Sequence, residues 1–308
     1  MTITPRLRLG TRRSPLAMAQ AHEARARLCA AHKWPEDAVE LVPVTASGDK
    51  VQDRPLAEIG GKALWTKELD EWLHEGRIDA AVHSMKDVET LRPAWLTIAA
   101  ILPRAEVADV LVGAGSIADL PPRARVGTSA PRRAAQLLHA RPDCTIVPFR
   151  GNVATRLARL DQGEAEATLL AAAGLSRLGR DNVGTLLDPQ QWLPAPAQGA
   201  IGLECRSADA ETQGLLAAID HLPSRATVMA ERALLAALGG NCHSAVAVQC
   251  LADGRMLTMR AAIFSADGAE RVGGHAVFPA GDCDGPATLA HDLLGRASPA
   301  VTALFGAG

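Results

Sequence analysis

The sequence predicts an α/β protein: two lobes of related topology with mixed sheets, followed by a smaller α+β domain. Three observations carry this. Short apolar runs alternate with helical patterns through the first two thirds of the chain. Two distant segments follow one plan of strand, Gly-Thr, polar turn, proline and helix, each with a double arginine beside the helix start. From about Leu222 the alternation gives way to one helix, a Gly-Gly turn and strands of two-residue period.

The elements follow in order. Leu7 to Leu9 is expected as a strand, Gly10-Thr11-Arg12-Arg13 as a turn, and Ser14-Pro15 as the cap and first position of a helix through His32. A glycine turn at Gly60-Gly61-Lys62 feeds an amphipathic helix that ends near Leu73, Gly76 suits a left-handed cap, and Ile78 to Val82 reads as a buried strand. The plan recurs downstream: Arg125-Val126 closes a strand, Gly127 to Ala130 turns, and Pro131 opens a helix through His139. Asn152 caps the next helix, Gly163 closes it after Leu160, and Glu166 to Leu170 is the strand that answers Ile78 to Val82. Each lobe is then about 90–100 residues, ordinary for one domain. Pro103 and Leu193-Pro194-Ala195-Pro196 mark plausible hinges, followed by a helix from Thr227 to Leu238, the turn Gly239 to Cys242, and strands at Ala245 to Leu251 and Met256 to Ile263.

Composition narrows the function. The 308 residues carry a net charge of −2 and nine aromatics without a tyrosine, which argues against a nucleic-acid binder. No stretch approaches the roughly 18 apolar residues that span a bilayer, and the N-terminus has no apolar signal core, so a cytoplasmic protein is expected. The six cysteines form no Cys-x-x-Cys pair and no zinc-spaced cluster with histidine, so neither a metal nor a disulfide framework is expected.

The cations are 27 arginines against five lysines, all five within the first 86 residues. Coding bias explains such a ratio, but placement adds to it. Arg12-Arg13 precede one helix start, Arg132-Arg133 follow Pro131 at another, and Arg150 precedes the Asn152 cap of a helix that carries Arg156 and Arg159. Cations are disfavoured at that end of a helix dipole. Each alone reads as a solvated arginine; together they suggest sites where guanidinium forks and helix N–H groups share an anion. With no phosphate-loop motif present, carboxylates are favoured over nucleotides. After the strand Ile78 to Val82 comes His83-Ser84-Met85-Lys86-Asp87-Val88, at the strand end where open α/β sheets place ligands. Asp87 reads there either as a helix cap or as a carboxylate facing a cationic or N–H-bearing substrate.

These residues resemble the porphobilinogen deaminase family over nearly the whole chain. The resemblance is carried by Thr11-Arg12-Arg13-Ser14-Pro15, Gly60-Gly61-Lys62, Ala81 to Val88, Gly127-Thr128-Ser129 with Arg132-Arg133, and Arg150-Gly151-Asn152-Val153 with Thr155-Arg156. Ala173-Gly174-Leu175 with Arg177, Pro196 to Ala200, Glu204-Cys205-Arg206 and Glu231-Arg232 before Cys242 continue it. It implies two lobes like those of periplasmic binding proteins, with domain 1 formed by residues 1–102 and 198–219, domain 2 by 103–197, and an α+β domain 3 by 220–308. It implies a dipyrromethane cofactor joined covalently to Cys242. The implied reaction condenses four porphobilinogens head to tail with loss of ammonia, and water then releases hydroxymethylbilane for tetrapyrrole synthesis.

By the same match Asp87 is the catalytic carboxylate. Lys86, Ser129, Arg132, Arg133, Arg150 and Arg156 hold the cofactor; Arg12, Ser14, Lys62, Arg150, Arg156 and Arg177 hold substrate; no metal and no macromolecular partner are implied, and a monomer is expected. The chain departs from the family pattern at Glu58, at Glu89, which stands where proline is usual, and after Cys242, where His243-Ser244-Ala245 lacks the usual proline. Two other functions fit parts of the sequence, a non-catalytic two-lobed binder of small anions and a thiol protein acting through Cys242. A pure binder needs neither Asp87 nor Cys242.

Overall fold

Strand β1 spans Leu7–Arg12 in the computed structural model, so Gly10, Thr11 and Arg12, expected in a turn, continue the strand. The reason is close packing: a Cβ on Gly10 would run into Ile78 and Leu69, so this glycine serves contact across the sheet face rather than a bend. The structure describes residues 5–44, 66–241 and 243–305. Glu58, Lys62 and Cys242 lie outside the described residues.

Ser14 caps α1 (Pro15–His32) by accepting from Ala17 N at 3.3 Å, with Pro15 in the first turn. Then come β2 (Val39–Val44), α2 (Lys67–His74), β3 (Ala80–Ser84) and β4 (Leu96–Ile101). β3 lies two residues beyond the expected Ile78 to Val82. The chain continues through β5 (Asp109–Val112), β6 (Arg125–Gly127), α3 (Pro131–Ala140), β7 (Thr145–Val147), α4 (Val153–Asp161), β8 (Ala167–Ala171), α5 (Ala172–Arg177) and the short β9 (Thr185–Leu186). It then forms β10 (Ile201–Arg206) and α6 (Ala210–Ala217). Two compact units result, Met1–Ala105 with Gly199–Arg225, and Glu106–Gln198 with Ala226–Gly308.

The sheet of the first unit has the order β2-β1-β3-β10-β4, with β1 parallel to both neighbours and β10 antiparallel to β3 and β4. The second unit holds a sheet of order β7-β6-β8-β5-β9 with the same sequence of parallel and antiparallel pairings. The internal repeat is therefore a repeat of topology, and it reaches side chains. Asp79 accepts from Arg8 N at 2.7 Å and pairs with the Arg8 guanidinium, while Glu166 accepts from Arg125 N at 2.6 Å and pairs with Arg125. Gly127 answers Gly10, since a Cβ there would strike the ring of the fully buried Phe149.

Both faces of the first sheet are covered, as a partly parallel sheet requires. On one, Ala21, Ala24 and Leu28 of α1 pack with Leu7, Leu9, Val82 and Leu203; on the other, Leu69 and Leu73 of α2 pack with Val44, Ile78 and Ala81.

Helix α7 (Leu222–Ala237) begins five residues before the expected Thr227. β11 (Val246–Asp253), β12 (Met256–Phe264) and β13 (Arg271–Pro279) form an antiparallel sheet, followed by α8 (Asp284–Arg296). Leu234 of α7 and Leu289 and Leu293 of α8 pack on Val248, Met259 and Ile263 of this sheet. Within the second unit the two sheet systems meet through Ala135, Leu193, Ala245, Ala247, Ala262 and Phe264. Buried Glu231 of α7 joins them by accepting from Ala197 N at 2.7 Å and Cys250 N at 2.9 Å.

Candidate active site

In the first unit, β3 ends at Ser84 and the chain turns through a single 3-10 turn, Met85–Asp87, which places Lys86 and Asp87 beyond the carboxyl end of this central strand. Met85 anchors that turn: it is buried, its N–H donates to Ala200 O at 3.1 Å, and Gly202 leaves the room its side chain fills. A pocket here is lined by Arg12, Ala17, Gln20, Thr66, Val82, His83, Ser84, Asp87 and Val88. Of the residues expected to act, Arg12 and Asp87 thus share one pocket, with Lys86 and the capping Ser14 beside them in sequence. Gln20, Thr66 and His83 line it too and carried no expectation.

The second unit gathers another set. Arg132 and Arg133, expected to turn toward an anion in a cleft, are 4% exposed and grip a carboxylate of the protein itself. Arg132 NH1 donates to Asp109 Oδ2 at 2.6 Å and Arg133 NH2 to Asp109 Oδ1 at 2.7 Å. Trp192 Nε1 and Gln198 Nε2 complete the shell of Asp109, each at 2.9 Å. Burial alone would raise the Asp109 carboxyl, but the two guanidiniums hold it far below the usual carboxylate range. Burial pushes the Arg132 guanidinium down, and Asp109 opposes that shift. Sequence reasoning missed Asp109, although a signal was present: a lone acid inside the apolar run Val107 to Val112 has to be paired if the run is buried.

This arrangement leaves donors over. Arg132 Nε, Arg133 Nε and Ser129 Oγ are buried with no hydrogen-bond partner among the described residues. They stand at the start of α3, where Ala130 makes no side-chain cap. One carboxylate against two guanidiniums also leaves an excess positive charge in the interior. Leftover donors, an uncapped helix start and unbalanced charge together suit a ligand that brings carboxylate oxygens.

Arg150 follows Phe149 and precedes Gly151, whose φ of +98 lets the chain enter α4 under the Asn152 cap. Arg156 Nε donates to Gly151 O at 3.0 Å, and Arg159 stacks on Phe149 at 4.3 Å while pairing with Glu164. Arg177 is the last residue of α5.

Cys242 lies outside the described residues. Beside it, His243 N donates to Asn241 Oδ1 at 2.8 Å and Asn241 N to Ser244 Oγ at 3.0 Å, and Asn241 and His243 are exposed. Cys144, Cys205 and Cys250 are buried, and burial pushes the Cys205 thiol up to about 11, away from nucleophilic character. Among the described residues no group of three or more His, Cys, Asp or Glu is placed to hold a metal ion. No helix among them is long and apolar enough to cross a membrane.

The family model described as porphobilinogen deaminase, dipyromethane cofactor binding domain, matches residues 7–214, and that described as the porphobilinogen deaminase C-terminal domain matches residues 225–293. A protein of Sphingopyxis alaskensis named porphobilinogen deaminase is 56% identical over 306 residues, covering 97% of this chain and 96% of that protein. One of the same name from Paracoccus denitrificans is 49% identical over 295 residues, covering 94% of each. Among solved structures, the periplasmic VFT2 domain of Bordetella pertussis BvgS is 15% identical with a TM-score of 0.42, covering 69% of this chain and 86% of that one. With both family models matched in order and relatives aligned nearly end to end, the chain belongs to the porphobilinogen deaminase family.

Proposed function

We propose that the protein is a hydroxymethylbilane synthase, a transferase that joins four porphobilinogens head to tail with release of ammonia and then frees the linear product by hydrolysis. The observation that carries this reading is the set of buried, unpartnered donors at the start of α3; the Asp87 turn at the carboxyl end of the central strand β3 adds to it. The donors fit dipyrromethane, whose acetate and propionate groups supply the missing acceptor oxygens. We assign its anchoring to Ser129, Arg132, Arg133, Arg150, Arg156 and Lys86, and its thioether to Cys242. When bound, the cofactor supplies the pyrrole carbon to which the first substrate is joined.

The remaining chemistry belongs to the chain. Loss of ammonia breaks the aminomethyl C–N bond, whose electron pair leaves with nitrogen, and positive charge grows on the pyrrole N–H of the substrate. Asp87 accepts from that N–H and stabilises the charge; a fixed carboxylate does so without the reorganisation that water requires. Asp87 also stands to take the proton released as the new C–C bond forms. Each added unit brings two carboxylates, and we assign their neutralisation to Arg12, Lys62, Arg150, Arg156 and Arg177, with Ser14 as a hydroxyl donor. Arginine suits that task because its fork binds carboxylates in pairs and stays charged.

The separate sheet and core of residues 246–296 support treating them as part of a third domain, 220–308, beside 103–197 and the discontinuous 1–102 with 198–219. We further read the protein as cytoplasmic and as a monomer; light scattering on the purified protein checks the monomer. The decisive test of function is intact mass with a turnover assay. The purified protein should exceed its sequence mass by two linked pyrrole units, lose that excess in Cys242→Ser, and consume porphobilinogen. An unmodified mass in active enzyme would overturn the cofactor assignment.

A further inference from the structure

Behind the Asp87 turn lies an ion network, entirely within the first unit, that the proposed reaction leaves unused. Its centre is Arg92, whose side chain is 9% exposed. Arg92 Nε and NH2 grip both oxygens of Glu204 at 2.9 and 2.7 Å, NH1 donates to Glu89 Oε2 at 2.7 Å, and NH2 donates to Asp70 Oδ1 at 2.5 Å. Thr66 Oγ1 donates to Glu89 as well, and His83 Nε2 stands 3.4 Å from Glu204 Oε2. Three carboxylates therefore converge on one guanidinium, with His83 as the neighbouring basic group.

The network brackets the catalytic turn. His83 precedes Asp87 by four residues on β3, Glu89 follows it by two, and both reach the same Arg92–Glu204 pair held by β10. We infer that Arg92 and Glu89 form a clamp that positions Asp87 for ammonia release, fixing the exit of the 3-10 turn as Met85 fixes its entry. They are positioning residues; neither touches substrate. The intervening Val88 is extended, at φ −86 and ψ 133, the conformation demanded of a residue that precedes proline. The clamp thus holds by ion pairing a backbone path that a proline at position 89 would hold by its ring. Burial strengthens these contacts, because nearly complete exclusion of water from Glu204 removes the screening that weakens surface pairs.

The inference rests on the proposed function for its kinetic consequence, but the clamp itself is readable without turnover. The variants are Glu89→Ala, Glu89→Pro and Arg92→Lys in the cofactor-loaded full chain; the two at Glu89 leave the buried Arg92–Glu204–Asp70 core intact, so folding is preserved. Glu89→Ala should speed hydrogen exchange at the Met85 and Val88 amides and lower kcat by about tenfold, a loss ordinary for a misaligned catalytic group. KM for porphobilinogen and the intact-mass excess should not move. Glu89→Pro should restore slow exchange and bring kcat to within about twofold of the parent. Arg92→Lys should behave like Glu89→Ala, because an ammonium cannot hold Glu204 and Glu89 as a fork does. Unchanged exchange and kcat in both Glu89→Ala and Arg92→Lys would overturn the clamp, as would a Glu89→Pro variant no better than Glu89→Ala. A parent protein that shows the exchange pattern yet consumes no porphobilinogen would overturn the functional reading and leave the clamp standing.

Discussion

A single carboxylate, Asp109, sets the direction of two guanidiniums. With two of its donors supplied by consecutive residues of α3, it holds the arginine heads on its own side and leaves their Nε atoms and Ser129 Oγ for a further acceptor. Asp109→Asn keeps the shape and removes the charge, so two buried cations lose their counterion. Removing one partner of a buried pair costs on the order of 3 kcal/mol. The urea midpoint should fall accordingly, and the intact-mass excess should drop in the fraction that folds; an unshifted midpoint would remove Asp109 from this role. At this scale the sequence was half legible. The double arginine beside Pro131 was recognisable because it opposes the helix dipole, whereas its counterion lies 23 and 24 residues earlier inside a strand, where nothing local announces the pairing. Glu204, quoted only as part of the Glu204-Cys205-Arg206 motif, was given no role for the same reason, embedded between Leu203 and Cys205 in β10.

The repeat was visible at the level of elements because helix starts carry explicit chemistry: Ser14 and Asn152 both cap as expected, and Gly76 and Gly163 both take left-handed conformations, at φ +67 and +74. Glycine misled where its role was contact. Gly10 and Gly127 looked like turn residues, yet both lie in strands whose faces are too crowded for a Cβ. Gly127→Ala would force Phe149 aside, and overpacking of this kind costs about 2 kcal/mol. Thermal unfolding checks this, with Gly163→Ala as a comparison: its Cβ meets open space, and only the positive φ is strained, at about 1 kcal/mol. Strand β13 went unpredicted because Gly273 and Gly274 interrupt its alternation.

Across the whole molecule the net charge of −2 says little about acid stability, because the groups that matter are few and buried. Burial would raise Glu204, but His83 and Arg92 overcome that and hold it at about 2, against an ordinary 4.5. A depressed carboxylate contributes stability that is full above the ordinary value and is lost as pH falls through the folded one. Asp70 acts in the opposite sense, since burial raises it and protonation relieves the strain of charging it. Glu204→Gln should therefore lower the urea midpoint at pH 7, and its gap from the parent should narrow between about pH 4.5 and 2. A gap independent of pH would show that Glu204 acts by shape alone. The two-lobe plan and the Asp87 turn were readable from local patterns; a discontinuous first domain was expected only through the family resemblance, because strand order is decided by contacts about a hundred residues apart. That order has a consequence for synthesis. β4 pairs only with β10 among the described strands, and β10 also supplies the Glu204 that Arg92 needs. On a ribosome adding about 5–20 residues per second, β4 waits on the order of 5–20 s for its partner. Through that interval the β4 edge lacks its strand partner and Arg92, although Asp70 and Glu89 are already made, lacks Glu204, so the first lobe is the earliest begun and cannot be the earliest finished.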